Sequence, residues 1–482
     1  PALHIRRVIT DNIFLDNSAI VEHGFAPPDA NYPNNDHGDG GAIVGFQGCD
    51  ARITGNLIEN NNADFYGGGI HLRQWSNGVI EDNQVIGNDS KLGGGIHVTY
   101  SSSPVVRNNL IESNEAGSLG GGGIYVYYLS NPVIEMNIIR HNISSRGAGI
   151  AVMWDSKPVI STNLVTDNFD GAGILCVDSS PHIIHNTIVN NSARVYSGGI
   201  HCEYGASPVI EHNIVSSNGN GYGIYVSTES APTMRFNDVW NHPMGNYGPD
   251  ISDQTGVNGN MSAASNFVDP DCNDYHLSYE SKCINAGDPN FTDLALTDFD
   301  VQPRVMGQFV DIGADEALPV WNVTSNAQYE NIQQAIDDAN DLDKIIVTKG
   351  RNFENIDFKG KAITLTSLDP NDWTVVEKTI VDGNNNADNQ GTVVTFTSGE
   401  GADSILAGFT ITGGYLDMDD PQGGFGGGIK CHDYSCPTIL RNIITGNYGW
   451  RGAGMSLYHC SSLVRDNIFV NNKSTKHGFG GG

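Results

Sequence analysis

Histidine, tyrosine and arginine recur at fixed places in this chain, one and three residues after an isoleucine that returns about every 26 residues. The pairs read His71 and Arg73, His97 and Thr99, Tyr125 and Tyr127, Ala151 and Met153, Leu175 and Val177, His201 and Glu203, Tyr225 and Ser227. On an outward face, such a stripe is richer in aromatic and apolar groups than solvent requires, the chemistry that takes a glycan or a partner chain. His71, His97, Tyr125, Tyr127, His201 and Tyr225 are therefore candidate ligand-binding residues. The competing expectation is a stripe covered by a loop of the same chain, since single exposed apolar residues are ordinary.

Carboxylates gather elsewhere. One acidic insertion carries Asp29, Asp36, His37 and Asp39, another carries Asp417, Asp419 and Asp420, and Asp298 with Asp300 make a third set. Hard cations such as calcium prefer several oxygen ligands, which these loops supply, although none has EF-hand spacing and each also reads as a solvated loop. Glycoside hydrolysis needs two carboxylates facing one groove, and this loop clustering argues against it. Among the cysteines, Cys176 and Cys202 fall two residues after a corner isoleucine and read as buried thiols. Cys272 and Cys283 flank a short polar loop and would pair in an oxidising compartment. One pair among Cys431, Cys436 and Cys460 is a further option, and no paired C-x-x-C spacing marks a zinc site.

The elements that must position these groups are repeats. Gly93-Gly94-Gly95-Ile96, Pro104, Asn109 and Asn114 make one copy; Gly121-Gly122-Gly123-Ile124, Pro132, Asn137 and Asn142 make the next. The corner isoleucine stands at Ile43, Ile70, Ile96, Ile124, Ile150, Ile174, Ile200 and Ile224, then again at Ile429, with Met455 in the same role. Each copy holds three short apolar runs bounded by turn residues, which predicts three strands. One copy buries too little by itself; stacked copies, each pairing with the next at roughly 4.8 Å, make a parallel β-helix. The asparagines recur in step and are expected at the corners, where Asn tolerates a left-handed backbone and can form an amide ladder along the axis. No G-G-G-I copy opens a helix, so these glycines are not a phosphate loop.

The order of parts is unusual. Residues 1–240 read as coils and 241–316 as a C-terminal closing cap. Residues 317–428 read as an N-terminal cap and first coils of a second β-helix, and 429–482 as further coils, open ended. The amphipathic stretch 328–340 predicts a capping helix, followed by strands over 344–348, 362–367, 392–397 and 405–412. The chain starts and stops within a coil, and joining Gly482 to Pro1 would nearly complete one. That predicts a tandem array or chains stacked head to tail as a fibre; the alternative is a segment of a larger surface protein.

Asp and Glu total 55 against 25 Lys and Arg, a net charge of −30. That excess opposes binding to nucleic acid or anionic membranes, and no apolar run is long enough for a transmembrane helix.

On its G-G-[AG]-I and N-x-[IV]-x-x-N signatures, the chain resembles the right-handed parallel β-helix repeat proteins of the pectate-lyase-like superfamily. It looks most like bacterial cell-surface members, including polymorphic outer-membrane-protein repeats. Tyr329 to Ala339 with Gly408-Phe409-Thr410-Ile411 looks like their N-terminal opening, and Asp274-Tyr275-His276-Leu277 through Glu316 like their close. The resemblance implies an all-β solenoid, an extracellular or surface location and bacterial-type secretion. Polygalacturonase-like members would imply Asn-Thr-Asp, Asp-Asp, Gly-His-Gly and Arg-x-Lys sets on neighbouring coils, which are not found here. The leading expectation is thus a structural module of a fibre or adhesin. The alternative is a polysaccharide lyase or hydrolase, or a glycan-binding protein, using the outward stripe.

Overall fold

A computed structural model describes residues 8–19, 40–117, 120–194, 196–292, 297–306, 309–417 and 424–479, with side chains as far as 474. The described residues form two compact units, one essentially 1–316 and the other 317–482; segments within 278–280 and 305–310 group with the second.

The first unit is a parallel β-helix. Two nine-stranded sheets run from Val8–Thr10 to Thr233–Arg235 and from Ile13–Leu15 to Asp238–Trp240, and an eight-stranded sheet runs from Ile43–Phe46 to Tyr222–Val226. Register is in step: Ile70 pairs with Ile96, Ile96 with Ile124, Ile124 with Ile150 and Ile174 with Ile200. Those isoleucines, with Val85, Val106 and Ile111 from the other sheets, fill a continuous core.

Two amide ladders run beside that core. In the first, Asn56, Asn83, Asn109, Asn137, Asn163, Asn186 and Asn213 each donate Nδ2 to Oδ1 of the next, at 2.9–3.0 Å. The second links Asn61 through Asn88, Asn114, Asn142 and Asn168 to Asn191 and Asn218 in the same way. The ladder residue itself is not left-handed. The preceding residue takes that strain, as at Asp82, Asn108, Met136 and His185 with φ of 53–56°. Asparagine is therefore required for its amide, which both donates and accepts, rather than for corner geometry. At Gly95 an added Cβ would stand 2.6 Å from Gly123 O and 3.1 Å from the Asn114 amide, so the glycine lets coils close onto the ladder.

Coils continue beyond residue 240, where the repeat fades in sequence. Tyr247 bridges to Ile224, Met261 bridges to Asp238, and Asn260 adds a further rung by accepting from Asn237. The closing segment then runs back along the coils. Ala314 N donates to Thr187 Oγ1 at 3.0 Å, and buried Arg304 donates to Ala314 O and to His185 Nδ1, each at 2.8 Å.

The second unit opens with an antiparallel turn. Val320–Asn322 pairs with Ala327–Tyr329 and with Lys344–Val347. The capping helix is shorter than its pattern, Ile332–Asp338, because 327–329 is held as strand and the Asn331 side chain caps Gln334 N. The expected run 405–412 is two strands, Ile405–Ala407 and Thr410–Thr412, parted at Gly408 with φ of 81°. The G-G-G-I coils follow, with Ile429 in register with Met455. No described helix is long and apolar enough to cross a membrane.

Asn109 accepts from Asn83 and donates to Asn137 Oδ1 and to the carbonyls of Ile80 and Arg107. Asn109→Ala orphans those buried groups and is expected to cost about 2–4 kcal/mol in urea unfolding. Asn109→Asp, which keeps the volume but loses the donor, should cost at least as much.

Candidate functional site

Strict register sets the outward residues of the eight-stranded sheet side by side. His71 pairs with His97, His97 with Tyr125, and Arg73, Thr99, Tyr127 and Met153 follow on the next row. The His71 and His97 rings stack at 4.6 Å with 7° between planes, and Tyr125 follows His97 at 4.9 Å. Tyr66, from the strand Asn62–Tyr66, stands 5.8 Å from His71 and 5.6 Å from His97. Leu92, Tyr100, Arg146 and Trp154 complete a cleft of about 480 Å³, within the size range of small-molecule sites.

Both ring nitrogens of His71 and of His97 are buried and lack a hydrogen-bond partner. Burial pushes His71 well below the usual imidazole range, helped by His97 and Arg73. His97 falls to about 3, by burial first and then by the Arg73 charge. At neutral pH each is therefore an uncharged ring with one donor and one acceptor. Burial pushes the Tyr125 phenol up, and its hydroxyl reaches Met153 Sδ at 3.4 Å. The lining holds two arginines and no carboxylate, in a chain with 55 acidic residues.

Four of the six sequence candidates, His71, His97, Tyr125 and Tyr127, share this cleft. His201 and Tyr225 do not line it; they cluster with Tyr196, at 5.4 and 4.8 Å. Between the two groups Ala151, Met153, Leu175 and Val177 are buried with Tyr125 as an apolar cluster, so the stripe is covered there. Arg146 on the near side is ion-paired with Glu203 on the far side.

Sequence reasoning missed Tyr66, Leu92, Tyr100, Arg146 and Trp154. A signal existed for two of them. Tyr100 and Trp154 stand four residues after a corner isoleucine, with φ of 54° and 56°. That position is left-handed in other coils too, at Gln47, Gln74, Tyr128, Asp178 and Tyr204, so the φ marks the coil turn and the signal lies in the aromatic residue types alone.

Of the calcium candidates, Asp29, Asp36, Asp39, Asp419 and Asp420 lie outside the described residues. Asp417 N donates to Gln390 Oε1 at 2.8 Å. Asp298 is fully buried and accepts from the backbone of Asp300, Gln302 and Glu316. Asp300 meets His276 Nε2 at 2.9 Å, while His276 Nδ1 lies 2.5 Å from Asp274. His276, Asp300 and Asp315 bring their ligand atoms within 4.8 Å of one another. The hydrogen bond that His276 donates to Asp300, with Asp315 and Asp274 close by, raises His276 to about 10, while burial raises Asp315 to about 6. An imidazolium thus already supplies positive charge among these carboxylates. Cys272 and Cys283 are free thiols. Cys272 is exposed beside the turn Pro270–Cys272, whereas Cys283 is buried with Sγ 3.5 Å from Asp238. Cys176 and Cys202 are both fully buried.

A second cavity of about 520 Å³ lies against the closing segment, lined in part by His182, Glu211, Arg235 and Asp288. Burial would raise Glu211, but hydrogen bonds from His182 and Arg235 outweigh it and hold the carboxyl at about 2. Those contacts clamp the carboxylate from both sides.

Residues 4–142 and 110–239 match the family described as right handed beta helix region, and this part of the chain belongs to it. No curated protein matches the sequence. Among solved structures, pectate lyase Pel9A is similar at 15% identity and a TM-score of 0.34, over 64% of this chain and 97% of that one. A PL6 family alginate lyase, AlyGC, is similar at 14% identity and a TM-score of 0.27, over 98% of this chain and 71% of that one. Likeness this low carries nothing about activity.

His276 gives a test of the cap's electrostatics. Its folded value exceeds the unfolded value of about 6.5, so its stabilisation is complete below that pH and is lost as pH rises towards 10. The thermal midpoint should fall across that window, and His276→Gln should flatten the fall.

Proposed function

We propose that this protein binds a glycan in the cleft over Ile70–Arg73, Ile96–Thr99 and Ile124–Tyr127. The observation that carries this reading is a cleft of about 480 Å³ walled by Tyr66, Tyr100, Tyr127 and Trp154 over the stacked rings of His71 and His97. A sugar offers apolar C–H faces to rings and hydroxyls to buried polar atoms. The outward side chains repeat at 4.6–4.9 Å along the axis, a spacing comparable with successive sugar rings, so a glycan lying along the axis meets one rung per unit. An extracellular or surface location suits such a ligand.

Binding is favoured over turnover on chemical grounds. The lining has no carboxylate pair for hydrolysis. An imidazole whose conjugate acid sits at about 3 is a weak base for proton abstraction.

The scaffold role is a second proposal, supported by the unbroken amide ladders, which make a stiff rod of the first unit. A fibre or adhesin module would meet further copies head to tail. Electron micrographs showing continuous fibres of regular axial repeat would favour it, and discrete rods would remove it.

Calorimetric titration with xylo-, cello-, galacturonate and alginate oligosaccharides tests the binding reading. Saturable binding to at least one is expected. Trp154→Ala, at a side chain 51% exposed, should weaken it about tenfold or more. Affinity should stay flat from about pH 5 to 8, because both cleft histidines are already neutral there. Release of shortened or unsaturated product would overturn the preference for binding.

A further inference from the structure

Three stretches of the closing segment bring metal-ligating side chains to one point. Asp274 and His276 lie on the strand Asp274–Leu277, Asp300 on the turn after Asp298, and Asp315 near the end of the segment. One ligand atom each from His276, Asp300 and Asp315 falls within 4.8 Å of the others. Fully buried Asp298 braces two of these stretches from beneath. It accepts from Asp300 N and Gln302 N at 3.0 and 2.7 Å, and from Glu316 N at 3.2 Å.

Two observations point to a cation. Asp315 is 7% exposed, yet among the described residues it accepts a single hydrogen bond, from Leu277 N at 2.7 Å. Asp298, Asp238 and Glu400 are buried at least as deeply, and each accepts from two or three donors. A buried carboxylate so short of donors calls for positive charge, and Asp315 turns an oxygen towards His276 and Asp300. The second observation is the orientation of the imidazole. Asp274 holds Nδ1 at 2.5 Å, which directs Nε2 at Asp300 Oδ2, 2.9 Å away. A carboxylate behind one ring nitrogen, with the other facing further ligands, is the arrangement that orients a metal-bound histidine. The side chains of His276 and Asp300 are 39% and 41% exposed, so an ion can enter from solvent.

We propose that His276 Nε2, Asp300 and Asp315 bind one divalent transition-metal ion of the zinc class, with Asp274 as the positioning residue behind the imidazole. The two ligand carboxylates balance the charge of the ion. In the metal-free protein Nε2 holds a proton against Asp300; the ion takes its place and the proton passes to solvent. An imidazole among the ligands selects zinc over calcium, which takes roughly six to eight oxygens. Asp298, a calcium candidate from sequence, spends its oxygens on backbone donors and is a brace instead. The bound ion ties the strand Asp274–Leu277 to the turn at 298–302 and to residues 311–316, and so clamps the closing segment. The site is independent of the cleft and of any glycan.

The test uses the full chain, stripped with EDTA and dialysed, in calorimetric titrations with zinc, manganese and calcium chlorides. Zinc is expected to bind at one site that His276→Ala and Asp300→Asn each weaken at least tenfold, and Asp274→Asn about ten- to hundredfold. Zinc should raise the thermal midpoint of the wild type and leave that of His276→Ala unmoved; the midpoints in EDTA show whether each variant is folded. The cobalt-loaded wild type gives a reading that needs no variant. One exchangeable, paramagnetically shifted Nδ1–H resonance is expected, from the ring that Asp274 holds, and its absence would overturn the site. Zinc binding that both His276→Ala and Asp300→Asn leave unchanged would overturn it too. Calcium binding lost in Asp300→Asn but kept in His276→Ala would overturn the choice of metal class.

Discussion

A buried asparagine amide has two donor hydrogens and an acceptor oxygen, and in this solenoid each finds partners on neighbouring coils. Asn109 illustrates the link: one amide ties the coil of Ile80, its own coil and the coil of Asn137 together. Because an unsatisfied buried amide is costly, a coil cannot slip without orphaning groups on both sides. That constraint fixes register, and register places everything outside the core. A slip of one residue would turn every outward ring inward.

Given that register, the cleft needs little further specification. Residues one, three and four places after the corner isoleucine must line up between coils. What varies is the segment before the corner. Where it carries Tyr66 and Leu92, it walls a space over His71 and His97. Over Leu175 and Val177 the stripe is buried. One repeated strand therefore serves as cleft floor, covered core and ring cluster within a single sheet.

Charge follows the same division. The acidic excess lies away from the cleft, whose lining holds arginines and neutral rings. Elsewhere carboxylates are balanced internally, Glu211 on the coils by Arg235 and His182, and Asp300 in the closing segment by His276. Buried charge there is matched to donors, as its desolvation demands. The imidazoles of the cleft are buried without such partners, and the proposed recognition role rests on that difference.

The sequence by itself determined the solenoid. Corner isoleucines, the Gly-rich turns and paired asparagines state the period, the strands and the ladder, because each coil meets the same steric demand as the last. It also placed His71, His97 and Tyr125 on one row and Tyr127 on the next, since register follows from period. It could not show that Tyr66, Arg146 and Trp154 converge on them, or that His201 and Tyr225 stand apart. The segments before the corners differ in length from coil to coil, and their course depends on packing rather than on period. The extra coil through Asn260 was hidden for a like reason, since its rung persists after the Gly-rich corner is lost. Which stretches of the stripe stay open was decided only by tertiary structure, because burial is a property of what lies above a residue and not of the residue itself.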